Sequence, residues 1–328
     1  MNDPLIYVRA IHLAATITVA GVAFFIIFIA EPAFRRAESG ARVAATVRPR
    51  LAWIAWTSLA LTIVSGVPWF VLVAQSMSDQ PWPEVFSQGI LSIVLLNTGF
   101  GRDWLERLVV AGFLAAMFVP FLSAQRVRSV WIKFVVVALA AALVGTLAWA
   151  GHAAGGAGVE GIVHPVADFL HLVAAAAWAG TLLPLALLLS AARGDAASAA
   201  VARTATLRFS SFGIASVGTI LLTGIINTWY LVGGIPALTG TDYGRLLLIK
   251  ISLFVAMIAI AAVNRVWLTP RLVHGAGVSM VHDAWRQLRR NTVIEAAAGA
   301  IIIAIVAVLG VTPPAVHEGL ISHAHHSH

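Results

Sequence analysis

Hydrophobic positions in this chain fall in long unbroken runs, without the alternation of a half-exposed strand or the single apolar stripe of a water-exposed helix. Eight runs, at 7–30, 51–74, 104–123, 130–150, 165–190, 208–232, 245–268 and 292–311, reach about the 20 residues a helix needs to cross a hydrocarbon core of about 30 Å. Lipid offers no partners to backbone N–H and C=O groups, so such runs must bond internally as helices. The pattern predicts an all-α polytopic membrane protein with eight transmembrane helices. A ninth apolar piece, Ile90 to Leu96, is too short to span and is expected to lie in the interface or re-enter.

The runs also repeat. His12-Leu13 followed by Gly21 has the same spacing as His171-Leu172 followed by Gly180, and Ser65-Gly66 is echoed by Thr223-Gly224. Thr98-Gly99-Phe100-Gly101-Arg102 is likewise echoed by Thr241-Asp242-Tyr243-Gly244-Arg245. The paired histidines are 159 residues apart and the paired threonines 143, so the first half holds a longer connection between its second and third spans. Four spans per half return the chain to the same side, which predicts two parallel four-helix repeats about an axis along the membrane normal. The expected units are 1–150, 151–311 and a polar tail at 312–328.

Composition agrees with the pattern: 60% of residues are hydrophobic and 11% charged, against roughly 25% charged in soluble domains. The net charge of +7 would point to nucleic acid in a soluble chain. Here 16 of the 21 basic residues fall at alternate connections, from Arg35 to Arg50, Arg126 to Lys133, Arg193 to Arg208 and Arg265 to Arg290. The positive-inside rule makes those connections cytoplasmic, both termini external and a nucleic-acid partner unnecessary. The first span lacks a small-residue cleavage site and is read as retained.

Candidate chemistry centres on His164 to Gly180, where ionisable residues interrupt an apolar run. His164, Asp168 and His171 share one helical stripe, and such residues inside a membrane usually face the bundle interior and mark a ligand or pathway. His12 is expected at a similar depth in the first half. His152, in the glycine-rich turn before the fifth span, and the tail's His323, His325, His326 and His328 face the same outer side. The chain has no cysteine and only five methionines without a close pair, so a metal would be held by imidazole and carboxylate. Lys250 either snorkels or neutralises Asp168, while Asn264-Arg265 and Glu295 lie at similar depth and predict a structural ion pair. No phosphate-binding Gly-x-x-x-x-Gly-Lys-[Ser/Thr] segment occurs, and no enzymatic constellation is evident.

Several of these motifs in order resemble the copper resistance protein D family of bacterial inner-membrane proteins. The likeness rests on Gly151-His152-Ala153, His171 with Trp178-Ala179-Gly180, Arg208-Phe209-Ser210, Thr223-Gly224 with Asn227, Thr241 to Arg245 with Lys250, Asn264-Arg265 with Pro270, and Glu295. The resemblance implies an eight-helix plasma-membrane protein that moves copper inward, alongside a separate periplasmic copper-binding protein. It implies roles for His12, His171 and His152; His164, Asp168 and the tail histidines are added from their spacing. Two alternatives remain from the residues alone: a b-type haem carrier with His12 and His171 as axial ligands, and a factor delivering copper to an oxidase.

Overall fold

The structure, a computed structural model, describes residues 3–37, 40–123, 129–149, 160–192, 196–274 and 278–316. The described residues include eight helices long and apolar enough to cross a membrane: α1 Pro4–Arg36, α2 Gly40–Ser78, α3 Gly99–Ser123, α4 Val130–Ala148, α5 Gly161–Ala191, α6 Ser198–Val232, α7 Asp242–Leu272 and α8 Asp283–Leu309. Among the described residues every regular element is helical. The expected multi-pass architecture is therefore observed. Several helices outrun their apolar cores because arginine is a good helix former: α2 begins at Gly40 and carries Arg42, Arg48 and Arg50, and α6 carries Arg203 and Arg208.

α1 and α5 form the centre, with 78% and 67% of their apolar windows buried against 44% or less in the others. They cross where Gly21 meets Gly180. A Cβ at Gly21 would overlap the Gly180 carbonyl, and one at Gly180 would lie 2.5 Å from the Ile17 carbonyl oxygen and 3.0 Å from Gly21 Cα. Glycine is needed because helices in lipid associate through close packing and not through a hydrophobic drive. α4 and α8 each pack on both central helices, α2 flanks α1, and α6 flanks α5. α3 packs on α4 and α2, while α7 packs chiefly on α8.

The Thr-x-x-Gly echoes have a local cause. Thr98 Oγ1 accepts from Gly101 N and Thr241 Oγ1 accepts from Gly244 N, each at 3.0 Å, capping the starts of α3 and α7. The glycines let these starts tuck against the short helices before them, Ile90–Asn97 and Ile235–Gly240, whose carbonyls a Cβ would overlap. The apolar piece at 90 is thus a two-turn helix, and its Val94 is buried against Phe70 and Ala74 of α2.

Pro32 lies inside the first helix and does not end it. A π-helical stretch, Phe25–Ala30, precedes it and the helix continues to Arg36. Pro32 has no N–H to offer the Phe28 carbonyl, and Arg208 Nε of α6 supplies the missing donor at 2.7 Å. A second π-helical stretch, Asn264–Leu268, stands before Pro270 in α7.

Replacing Gly180 with Leu should separate α1 from α5 and cost at least the roughly 1–3 kcal/mol typical of overpacking. Gly112→Ala, where an added Cβ meets nothing within 4 Å, should be tolerated. The comparison of melting midpoints and size-exclusion profiles in detergent checks both; equal behaviour would refute the crossing.

Candidate functional site

The predicted stripe of α5 exists, and it faces α6. His164 is buried and stacks on Tyr230 at 5.0 Å between ring centroids. One turn on, Asp168 Oδ1 accepts from Asn227 Nδ2 at 3.1 Å. About one further turn along, His171 Nδ1 lies 3.0 Å from Thr223 Oγ1. Tyr230, Asn227 and Thr223 follow one another down α6 in the reverse order, as antiparallel neighbours must.

His12 occupies the matching place on α1. It is 1% exposed, its Nδ1 is 3.1 Å from Ser65 Oγ of α2, and its ring lies 4.7 Å from that of Trp69. Gly66 and Gly224 leave room for the two rings: a Cβ at either would stand 3.5 Å from the histidine Cε1.

The hydroxyls decide the tautomer. Ser65 Oγ donates its one proton to the Leu61 carbonyl, and Thr223 Oγ1 donates to the Thr219 carbonyl at 2.6 Å. Each hydroxyl oxygen can then only accept from the imidazole, so both rings carry the proton on Nδ1 and an open lone pair on Nε2. His12 Nε2 is buried and has no hydrogen-bond partner.

Around this shared frame the two pockets differ in charge. Beside His12 stand Arg9, Trp69 and Arg107; beside His171 the corresponding positions hold Asp168, Asn227 and Lys250. Arg107 is 3% exposed and donates from Nε to Thr146 Oγ1 at 3.1 Å and from Nη2 to the Thr146 carbonyl at 3.2 Å. Arg9 donates to the Gly310 carbonyl at 3.3 Å, tying the start of α1 to the end of α8. Asp168 has Lys250 and Arg9 as its electrostatic partners. The carboxylate therefore sits between a cation of its own half and one of the other.

The four predicted ligands among the described residues contact two different helices: His12 meets α2, and His164, Asp168 and His171 meet α6. Among the described residues no group of three or more His, Asp or Glu side chains converges as a metal-binding set. The reason is direction: the α5 residues each turn to α6, whereas His12 turns to α2. His152, His323, His325, His326 and His328 lie outside the described residues. A crevice of about 500 Å³ walled by Leu105, Val109, Ala142, Trp149 and Phe169 includes neither intramembrane histidine.

The expected Arg265–Glu295 ion pair is not formed. Arg265 donates to Ser210 at 2.6 Å, and Glu295 instead accepts from Asn264 Nδ2 at 2.7 Å, while Asn264 accepts from Asn291 at 2.7 Å. An amide satisfies one buried carboxylate oxygen without bringing a second charge out of water. Sequence reading also missed Arg9, Trp69 and Arg107. The repeat held the signal, since the 159- and 143-residue offsets carry Arg9 onto Asp168 and Arg107 onto Lys250.

These features define a multi-pass membrane protein with imidazoles fixed by hydroxyls inside the bundle. Two family profiles match: "Copper resistance protein D-like, N-terminal domain" at residues 1–162 and "Copper resistance protein D" at 203–309. The chain is 31% identical over 326 residues to Copper resistance protein D of Pseudomonas syringae pv. tomato, covering 98% of this chain and 100% of that one. It is 29% identical over 309 residues to Inner membrane protein YebZ of Escherichia coli (strain K12), covering 94% and 98% of the two chains. It is also 30% identical over 198 residues to Copper transport protein CutJ of Bacillus subtilis (strain 168), covering 60% of this chain and 36% of that one. The chain belongs to the copper resistance protein D family. No solved structure matches it.

Asn227→Leu should leave the Asp168 carboxylate without its amide donor and destabilise the protein by about 1–3 kcal/mol. A lowered unfolding midpoint in detergent checks this; an unchanged one would mean that Lys250 and Arg9 alone hold the carboxylate.

Proposed function

We propose that this protein carries copper inward across the bacterial plasma membrane and serves copper homeostasis and resistance. The observation that carries the reading is the pairing of His12 and His171 Nδ1 with hydroxyls that themselves reach backbone carbonyls. Two intramembrane imidazoles present an unprotonated Nε2, the form in which imidazole ligates a metal, and each is oriented by a hydroxyl behind it. The names of two relatives, a copper resistance protein and a copper transport protein, support the same cargo. None of the three relatives' names describes an enzyme.

In this reading the tail histidines His323, His325, His326 and His328, with His152, collect the ion on the periplasmic side. His164 and Asp168 pass it to His171, and His12 offers the equivalent nitrogen in the first half. Two or three exchangeable nitrogen and oxygen ligands hold an ion loosely enough to release it. The pockets are copies within two parallel four-helix units, 1–150 and 151–311, which places both at one depth. With no nucleotide-binding loop, movement follows a gradient, the membrane potential or a partner such as a separate periplasmic copper-binding protein.

His171→Ala and His12→Ala should each lower copper accumulation by cells. Thr223→Val, which keeps the ring but loses its orienting acceptor, should weaken copper affinity by about tenfold in a chelator competition. Unchanged accumulation and affinity in all three would sink the route. A Soret band lost on replacing either histidine would replace it with a haem carrier, and lost oxidase activity with normal cytoplasmic copper would replace it with a delivery factor.

The orientation has its own test, made simple by the absence of cysteine. In intact cells a membrane-impermeant thiol reagent should label Ser87→Cys, on the connection expected outside, and spare Ser39→Cys. The reverse pattern would invert the topology and with it the direction of entry.

A further inference from the structure

Four buried nitrogens without hydrogen-bond partners belong to one cluster: Arg9 Nε, His12 Nε2, Trp69 Nε1 and Arg107 Nη1. Three belong to side chains around the indole that carries the fourth. The His12 ring is 4.7 Å, Arg107 Cζ 4.9 Å and Arg9 Cζ 5.6 Å from the Trp69 ring. Trp69 is itself 1% exposed. Stacking on the indole stabilises each guanidinium, but it satisfies none of these N–H groups.

Buried polar groups are nearly always paired, because an unmet donor forfeits its hydration without return. Here three enclosed donors, two of them on permanently charged guanidiniums, remain unmet side by side. Asp103 acts on Arg107 and Asp168 on Arg9 through space, yet neither accepts from these nitrogens among the hydrogen bonds observed. The second pocket shows what is missing. There the residue in the place of Arg9 is Asp168, a built-in carboxylate that faces the cation in the place of Arg107, Lys250. The first pocket has two cations whose open nitrogens no carboxylate accepts from, although Asp103 and Asp168 act on them through space.

We propose that the first pocket binds a compact monovalent anion from solution, with Arg9, Trp69 and Arg107 as its donors. The three unmet N–H groups come from α1, α2 and α3 and lie around one indole, and two of them sit on guanidiniums, so the cluster favours a small anion over water. The bound anion would cancel the guanidinium field at His12 Nε2, giving that nitrogen surroundings like those of His171. The site stands whether or not the chain carries copper.

Chloride is the probe. The purified full-length protein, stripped of metal by chelator, is melted in detergent while chloride replaces gluconate at constant ionic strength. The midpoint should rise saturably with chloride, as expected when a ligand binds the folded state alone, and bromide should substitute. Arg107→Gln should abolish the rise, and Trp69→Phe, which keeps the ring and removes one donor, should raise the half-saturating concentration about tenfold. Arg271→Gln, an exposed arginine elsewhere, should respond as wild type does. If Arg107→Gln does not fold, Trp69→Phe still decides. A wild-type midpoint indifferent to chloride, or a Trp69→Phe response identical to wild type, overturns the proposal.

Discussion

The bundle depends on the contact between two glycine backbones, Gly21 of α1 and Gly180 of α5. In lipid, apolar side chains gain nothing by leaving one hydrocarbon phase for another, so helices must earn their association through dispersion at close range. The absence of Cβ at both positions brings the two most buried helices together and leaves room on either side for α4 and α8. The imidazoles of α1 and α5 are thereby turned away from this contact, toward the outer helices. Each histidine, nine residues before its glycine, turns to the flanking helix, α2 or α6.

That displacement explains why the polar side chains are ordered as they are. An imidazole in this layer has to find an acceptor, and a serine or threonine whose own proton is already bonded to its helix provides one. The same small hydroxyl, followed by glycine, also gives the ring space. Hydrogen bonding and packing thus ask for the same residue pair in both halves. What varies is the charge placed around the frame. Arg9 and Arg107 stand beside His12, and Asp168 and Lys250 beside His171.

The end of the bundle away from Arg9 and Gly310 follows a different rule. Polar groups there repair backbone and charge defects locally: Arg208 serves the carbonyl orphaned by Pro32, Arg48 pairs in bidentate fashion with Glu31 at 2.8 and 3.0 Å, and Asn264 serves Glu295. Glu295 retains one buried oxygen without a partner. The half of the bundle that holds the histidines leaves several nitrogens open around Trp69, whereas in the opposite half Arg48, Glu31, Arg208 and Asn264 are each bonded.

Much of this was legible before any coordinates. Run length alone determined eight spanning helices, because a hydrocarbon layer admits no other solution for the backbone, and the echoed His, Gly and Thr-x-x-Gly positions marked the elements that matter. The 164, 168, 171 stripe was legible too, since helical periodicity fixes which residues share a face. Tertiary structure decided what that face meets. Periodicity is silent on the neighbour, so the pairing of Asp168 with Asn227, the choice of Asn264 over Arg265 by Glu295, and the separation of His12 from His171 into two pockets depended on which helices pack together. The cationic cluster around Trp69 was hidden for the same reason: Arg9, Trp69 and Arg107 lie on three helices up to 98 positions apart, and only close packing brings them to one indole.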